Sequence, residues 1–217
     1  MELDELKHNT GRETPSLTLE MKSPSSKNLA DCASVLQDLR FVQECCQRLA
    51  AVLTGPEDQR DGVVLKALWT AALVAYARCF SSGKRLGLQN DDVEDLPFEG
   101  VVEFHEWLMG MRNKNLAHSV SPFELVKVGV IVNSAASAPS EVQGVVTLSM
   151  QHWFPSVDGV KELGILANAL DRVTSEKAQE LEKAVLEAAR KLTADELAKL
   201  PALRTTAPGP DAAWRAR

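Results

Sequence analysis

The apolar residues of this chain keep a helical spacing over most of its length and change period only once. In residues 28–53 and 157–192, apolar side chains recur every three or four positions, which is typical of amphipathic helices. The same spacing predicts helices at 62–82 and at about 98–117. Each helix has an apolar stripe that must be buried, so the four must pack together. The pattern predicts a mainly α protein, a helical bundle of about four helices.

The spacing changes to a period of two after Pro122, which ends the third predicted helix. The stretches FELVKVGVIV and VQGVVTLSMQHWF alternate apolar with other residues, and a small, polar segment separates them. We therefore predict a β-hairpin over about 123–154, inserted into or appended to the bundle. A two-stranded ribbon is not stable alone, so it is expected to lie on the helices or on a second subunit.

The chain has 217 residues, enough for one domain with tails. Residues 1–25 and 201–217 are rich in charged and small polar residues and in proline, which predicts disordered or flexible termini. A single helical domain is expected over 26–200, including the hairpin.

Charge and cysteine content exclude some classes of function. The net charge is −6 and there is no long basic run, which argues against coating nucleic acid through bulk charge but leaves room for a local basic site. None of the four cysteines forms a C-x-x-C pair, so we expect buried free thiols. The acidic residues at 91–95 are interpreted as a solvated loop. No metal and no cofactor is predicted.

The longest apolar stretch, GVVLKALWTAALVAYARCF, is interrupted by Lys66 and Arg78 and is short for a membrane span. The first residues, MELDELKHNTGRETPS, are polar and acidic and do not resemble a signal peptide. We therefore expect a soluble, cytoplasmic protein with no membrane partner.

A polar cluster, MRNKNLAHSV, follows the apolar part of the third predicted helix. On a helix, Arg112, Asn115 and His118 lie three residues apart and form one ridge at the edge of the apolar stripe. A guanidinium suits phosphate oxygens, an imidazole transfers protons near pH 7, and an amide orients either group. With RNA, the 2′-OH of the substrate serves as nucleophile and no metal is needed. The alternative is an ordinary helix end, at which a cation meets the dipole and His118 bonds the last carbonyls.

The wider stretch FHEWLMGMRNKNLAHSVSPFE resembles the HEPN superfamily of helical domains. The hallmark of that family is an arginine followed after four to six residues by histidine, often with a polar residue directly after the arginine. Here five residues separate Arg112 from His118, and Asn113 is the polar residue. The run R-N-K-x-x-A-H-S before a Pro-Phe-Glu step, and ALVAYARCFSSGKR in the second helix, are similar to a bacterial, AbiV-like branch.

This resemblance implies a homodimer and a metal-independent endoribonuclease, often part of toxin–antitoxin or phage-defence systems, with an antitoxin or other regulatory protein as a partner. RNA is the implied substrate. Arg112 would bind and polarise the scissile phosphate, His118 would transfer protons, and Asn113 would support both. Contacts with the substrate are expected from four further residues, which are Lys114, Asn115, Arg78 and Tyr76.

Two other functions fit the same residues. One is a non-catalytic HEPN-like module that dimerises and binds a partner or a nucleotide, and the other is a small-molecule sensor with a cleft under the hairpin. Of the remaining candidates, His105 is interpreted as a surface or buried structural histidine, and Trp69 and Trp107 as core residues.

Overall fold

The computed structural model describes residues 17–81, 85–113, 124–133, 141–151, 156–204 and 209. Six α-helices and one antiparallel pair of strands occur in these ranges, so the predicted mainly α fold with a hairpin is confirmed. The elements are α1 (Pro24–Thr54), α2 (Gly62–Cys79), α3 (Asp91–Glu94), α4 (Val101–Met111), β1 (Glu124–Val132), β2 (Val142–Gln151), α5 (Val157–Arg190) and α6 (Ala194–Ala198).

Helices α1 and α5 form a long antiparallel pair that organises the bundle. The Arg40 side chain donates to Asp171 at 3.3 Å, and a Cβ at Gly164 would lie 3.5 Å from the Cβ of Cys46, so later residues of α1 meet earlier residues of α5. The shared core contains leucines and valines with almost no solvent exposure, among them Leu39 and Leu163, both at 0%.

Helix α1 begins earlier than the apolar spacing indicates. Ser23 accepts a hydrogen bond from the Ser26 amide at 3.1 Å, and Ser26 accepts one from the Ser23 amide at 2.8 Å. This capping box, with Pro24 in the first turn, fixes the start of the helix. The cap is therefore Ser23, five residues before the first residue that the apolar spacing assigns to the helix.

Helix α2 packs on α1 and α4 and contributes large buried side chains to the core. Trp69, Leu73, Tyr76 and Cys79 are each at most 1% exposed. Among the described residues, α2 is also the one helix long and apolar enough to cross a membrane, and 44% of that window is buried inside the protein. A core helix passes the same test of length and hydropathy, so the criterion alone does not separate the two cases.

Helix α4 begins after Gly100, whose φ of 72° lies in the left-handed region that favours glycine. Phe98, at the expected start of this helix, precedes the observed start and is 41% exposed. Trp107 is 42% exposed, so its interpretation as a core residue is wrong. The acidic residues at 91–95 are mostly in the short helix α3 rather than in an irregular loop, because Val93 is buried at 1% and holds that turn against the bundle.

The two strands pair with Val130 opposite Val145 and Val128 opposite Thr147, and the register shifts between Ile131 and Val132. They pack chiefly on each other, and most of the described side chains at 126–132 and 142–149 are exposed. The most exposed apolar residues of the hairpin, at 62–72%, are Val126, Val128, Val130, Val142, Val145 and Leu148. The hairpin was expected to lie either on the helices of its own chain or on a second subunit. The described helices of its own chain do not cover it.

The described parts of the two termini meet. Leu19 and Ala202 form an isolated antiparallel bridge, in which the Glu20 amide donates to the Pro201 carbonyl at 2.8 Å. The remaining residues of the predicted tails lie almost wholly outside the described ranges. Because α1 begins at Pro24, the helical domain starts slightly before the expected residue 26.

Candidate functional site

The C-terminal end of α4 presents the first two members of the predicted reaction centre. Arg112 and Asn113 follow Met111 directly, are in a π-helical conformation, and are both exposed. The Arg112 Nη1 donates a hydrogen bond to the Asn113 Oδ1 at 2.9 Å. In the described ranges no carboxylate forms an ion pair with Arg112. Single π-helical turns are uncommon and occur frequently at functional sites.

The other residues of the cluster, Lys114, Asn115 and His118, lie outside the described residues. Their predicted roles remain predictions. The last described part of the helix is well anchored, because Leu108 is 1% exposed and Met111 is 7% exposed. The backbone that carries Arg112 is therefore held by the core on its inner side, whereas the guanidinium is directed to solvent.

A buried hydrogen bond connects α4 to α2 behind this site. The Tyr76 hydroxyl lies 2.7 Å from the His105 Nδ1, and the two side chains are 0% and 6% exposed. Burial raises the pKa of Tyr76 and lowers the pKa of His105. The phenol therefore keeps its proton and donates it to Nδ1, which leaves the imidazole proton on Nε2. The ring of Phe80 packs against His105 at a centroid distance of 4.5 Å.

This geometry changes the sequence interpretation of two residues. His105 is a buried histidine with a hydrogen-bond partner. This agrees with one of the two structural interpretations, a surface or a buried histidine. The substrate contact predicted for Tyr76 does not agree with a side chain that has no exposed surface. The apolar sequence around Tyr76 in α2 was the signal for burial, and the hydrogen bond to His105 across 29 residues had no local signal.

Burial of His105 makes the stability of the protein depend on pH. The fold lowers its pKa below the ordinary 6.5, chiefly by desolvation and against the opposing charge of Glu106. As the pH falls below about 6.5, His105 therefore becomes protonated in the unfolded chain but stays neutral in the folded state. The contribution to stability is fully present above that pH and decreases below it, by at most about 1.4 kcal/mol per pH unit for one proton.

We expect His105→Gln to remove this pH-dependent part of the free energy of unfolding. Urea unfolding of the wild type and the variant at pH 7.5 and 5.5 measures it. The difference between the two pH dependences isolates the contribution of His105 from those of all other groups. The wild type should lose more stability on acidification than the variant. Equal losses in the two proteins would contradict a neutral, buried His105.

A second cluster joins α1 to the end of α2 and the segment after it. The Asp38 carboxylate accepts two hydrogen bonds from Arg85, both at 3.2 Å, and Arg78 Nη2 lies 3.5 Å from its other oxygen. Arg85 also donates to the Ser34 hydroxyl at 2.8 Å and to the Arg78 carbonyl at 2.7 Å. Arg85 therefore caps the end of α2 with its charge, as cations at helix C-termini do.

This cluster limits the positive charge available at the end of α2. The Arg85 side chain is 16% exposed and donates four structural hydrogen bonds, whereas that of Arg78 is 60% exposed and remains accessible beside its ion pair. Sequence reasoning missed the role of Asp38. A single acidic residue next to the apolar stripe of α1, with two arginines near the end of α2, was the only available signal.

The described residues contain no group of three or more His, Cys, Asp or Glu side chains arranged to hold a metal ion. Cys32, Cys45, Cys46 and Cys79 are free and buried, as expected. Burial raises the pKa of Cys46 and of Cys79 to about 12 in each case, so neither is a thiolate near neutral pH.

The chain was compared with protein-family models, with curated proteins and with solved structures, and no match was found. What the protein does is therefore argued from the residues described above and from the sequence around Arg112.

Proposed function

We propose that this protein is a HEPN-type, metal-independent endoribonuclease that acts in a toxin or phage-defence setting, with its reaction centre at the C-terminal end of α4. One observation carries the proposal. The exposed Arg112 guanidinium is held by the Asn113 side chain at 2.9 Å, at the end of a helix anchored in the core. The R-N-K-N-L-A-H-S sequence supplies the rest, because it continues from this pair to His118 with the spacing of the family.

In the proposed reaction, Arg112 binds the non-bridging oxygens of a phosphodiester and stabilises the charge that develops on them. Asn113 occupies one donor of the guanidinium and thereby orients the others. The 2′-oxygen of RNA attacks phosphorus and gives up its proton to His118, and the bond from phosphorus to the 5′-oxygen breaks. The leaving oxygen takes up a proton, and the products carry a 2′,3′-cyclic phosphate and a 5′-hydroxyl.

Other residues and a second copy of the chain support the reaction centre in this proposal, some by direct contact with the substrate and one indirectly. Arg78, Lys114 and Asn115 contribute substrate contacts, and a second copy of the chain supplies a matching pair of catalytic groups. Tyr76 acts indirectly, since its bond to His105 holds α4 on α2. An antitoxin or other regulatory protein would restrain the activity.

Incubation of purified protein with mixed RNA in the presence of EDTA tests the proposal. The wild type should cleave and leave cyclic phosphate ends, whereas Arg112→Ala and His118→Ala should each lose at least about 100-fold in rate. Arg48→Ala is the matched control, because it removes the same charge from an exposed position on α1. Loss of cleavage in EDTA by the wild type, or equal rates in wild type and Arg112→Ala, would contradict the proposal.

A second candidate is a non-catalytic HEPN-like module that dimerises or binds a nucleotide. The observation that favours it is the pairing of Arg85 and Arg78 with Asp38, which cancels one of their two positive charges and so reduces the positive surface offered to RNA in a chain of net charge −6. This function predicts no cleavage by wild type or variants and nucleotide binding that requires Arg112. Equilibrium dialysis with a labelled nucleotide and the same three variants separates the two candidates.

A further inference from the structure

Trp107 is an aromatic residue of α4 that the core leaves partly uncovered. Its side chain is 42% exposed, although the other side of α4 is buried. The Phe104 ring lies against one face of the indole, with a centroid distance of 5.8 Å and an angle of 13° between the ring planes. The Trp69 ring lies at a centroid distance of 6.3 Å and is tilted by 42°. Two rings thus hold the indole in place while much of its surface stays open to solvent.

Gly110 lies one helical turn after Trp107 and has no packing role among the described residues. Apart from its own helix backbone and its chain neighbours, a Cβ added at this position would meet no heavy atom within 4 Å. Glycine inside a helix costs stability relative to alanine, because the unfolded chain is freer at a glycine. Close packing therefore does not explain this glycine, and its effect on the helix surface is an open floor beside the indole.

These two positions are aligned with the candidate reaction centre. Trp107, Gly110 and Asn113 are three residues apart, so they form one ridge of the helix, on which neighbouring positions lie about 5–6 Å apart. Arg112 starts on another side of the helix, but its Nη1 donates to the Asn113 Oδ1 at 2.9 Å, so the guanidinium reaches this ridge. The indole and the guanidinium therefore lie at the two ends of a gap about 10–12 Å long, with Gly110 as its floor.

The free face of the indole is directed along this gap. Side chains on a helix lean toward its N-terminal end, and Phe104, which precedes Trp107 by one turn, covers the indole from that side. The opposite face of the indole is therefore the one on the side of Gly110 and of the C-terminal end of α4.

The charges at the two ends of the gap differ in sign. The Arg112 guanidinium at one end has no ion-pair partner in the part of the chain that the structure describes. At the other end, the exposed carboxylates of Glu103 and Glu106 lie one turn and one residue before Trp107. A phosphate is attracted by the guanidinium and repelled by the carboxylates, so a nucleotide fits the gap in one direction, with its phosphate at Arg112 and its base at Trp107.

We infer that Trp107 stacks on a base of the RNA, with Gly110 leaving room for the ribose between this base and the phosphate at the Arg112 guanidinium. The inference rests on the proposed function and adds the residue that holds a base next to the scissile phosphate. A base inside a duplex is covered by its neighbours, so the RNA is single-stranded at this position. Stacking on an aromatic ring accepts any base, because every base has a π face.

Binding of two uncleavable probes to the full chain tests the inference. One probe is a fluorescein-labelled 2′-O-methyl RNA hexamer, which lacks the 2′-hydroxyl nucleophile, and the other is the same labelled backbone without bases. Fluorescence anisotropy gives both dissociation constants. The wild type should bind the hexamer at least about tenfold more tightly than the abasic probe. Trp107→Ala should lose this preference, and Trp107→Phe should keep most of it, because a phenyl ring also stacks.

Phe41→Ala is the matched control, because Phe41 is an aromatic side chain of similar exposure, at 46%, on α1. It should bind both probes as the wild type does. Gly110→Gln fills the floor of the gap with a good helix former, so it should weaken hexamer binding at least about tenfold and melt at the same or a higher temperature. Thermal unfolding followed by circular dichroism measures the second quantity. Weaker binding without loss of stability separates a blocked site from a damaged fold.

Failure of the inference and failure of the proposed nuclease give different results. Equal affinity of the wild type for the two probes, an unchanged preference in Trp107→Ala, or wild-type binding by Gly110→Gln would overturn the inference alone. A preference for the hexamer that depends on Trp107, in a protein that does not cleave ordinary RNA in EDTA, supports base stacking and contradicts only the nuclease. A wild type that binds neither probe overturns both.

Discussion

Replacement of Trp69 by alanine is expected to lower the free energy of unfolding by about 3–5 kcal/mol, the usual cost of removing a large aromatic side chain from a core. Trp69 is 1% exposed and lies in α2, which packs on α1 and α4 in the core. The deletion leaves a cavity that the other buried side chains of the core, such as Leu73 one turn along α2, fill only in part. Since small domains have a total stability of about 5–15 kcal/mol, the variant should be partly unfolded at moderate urea concentrations.

The chain offers a control of the same residue type. Trp107 lies on α4 with its ring centroid 6.3 Å from that of Trp69, but it is 42% exposed. Trp107→Ala should therefore cost less than half as much. Urea unfolding followed by far-ultraviolet circular dichroism gives both values, because it does not depend on tryptophan fluorescence. Equal costs for the two variants would mean that Trp69 is not buried more deeply than Trp107.

The spacing of the apolar residues was enough to predict the long helices and the hairpin. Each of these elements has an apolar stripe, and the stripe can be read from the local sequence. The ends of the elements depended on specific contacts instead. The start of α1 is fixed by the Ser23–Ser26 capping box, and Gly100 fixes the start of α4 through its positive φ. Several small polar residues compete for such positions in the sequence, and the spacing of leucines does not choose among them.

Burial was harder to predict for aromatic residues than for leucine. Trp69 and Trp107 have similar apolar neighbours in sequence, but only the first faces the bundle axis. Periodicity gives the relative orientation of residues on one helix, whereas the packing of another helix decides which face is covered. The same reason explains Tyr76, for which the bond to His105 on α4 decides the complete burial.

The sequence predicted which residue types form the candidate site. It did not predict the charge of the surface around them. The Arg112–Asn113 contact follows from adjacency, and the exposure of Arg112 agrees with a position at the edge of the apolar stripe. The neutralisation of Arg85 was not predictable, because its partner Asp38 is 47 residues away on a different helix. Long-range polar pairs have no periodic signature.

The ion pair between Asp38 and Arg85 gives the second large expected effect on stability. Asp38→Ala is expected to destabilise the protein by about 3–5 kcal/mol, the cost of leaving one partner of a buried ion pair without its counter-charge. The Asp38 and Arg85 side chains are only 12% and 16% exposed, so solvent screens them weakly. Arg78 is 60% exposed and contributes little of the total. The cation left behind also holds the Arg78 carbonyl, so the end of α2 should loosen as well.

A double substitution separates the charge effect from loss of packing. Asp38→Leu/Arg85→Met replaces both charges with apolar side chains of similar volume and should recover most of the stability that either single change removes. Arg40→Ala is the control for an exposed pair, because Arg40 is 63% exposed beside Asp171, and it should cost about 0–1 kcal/mol. Urea unfolding of the full cycle gives the coupling energy. A cost for Asp38→Ala as small as that for Arg40→Ala would mean that the carboxylate does not join α1 to the end of α2, and the full positive charge of Arg85 would then be available to the surface near Arg78.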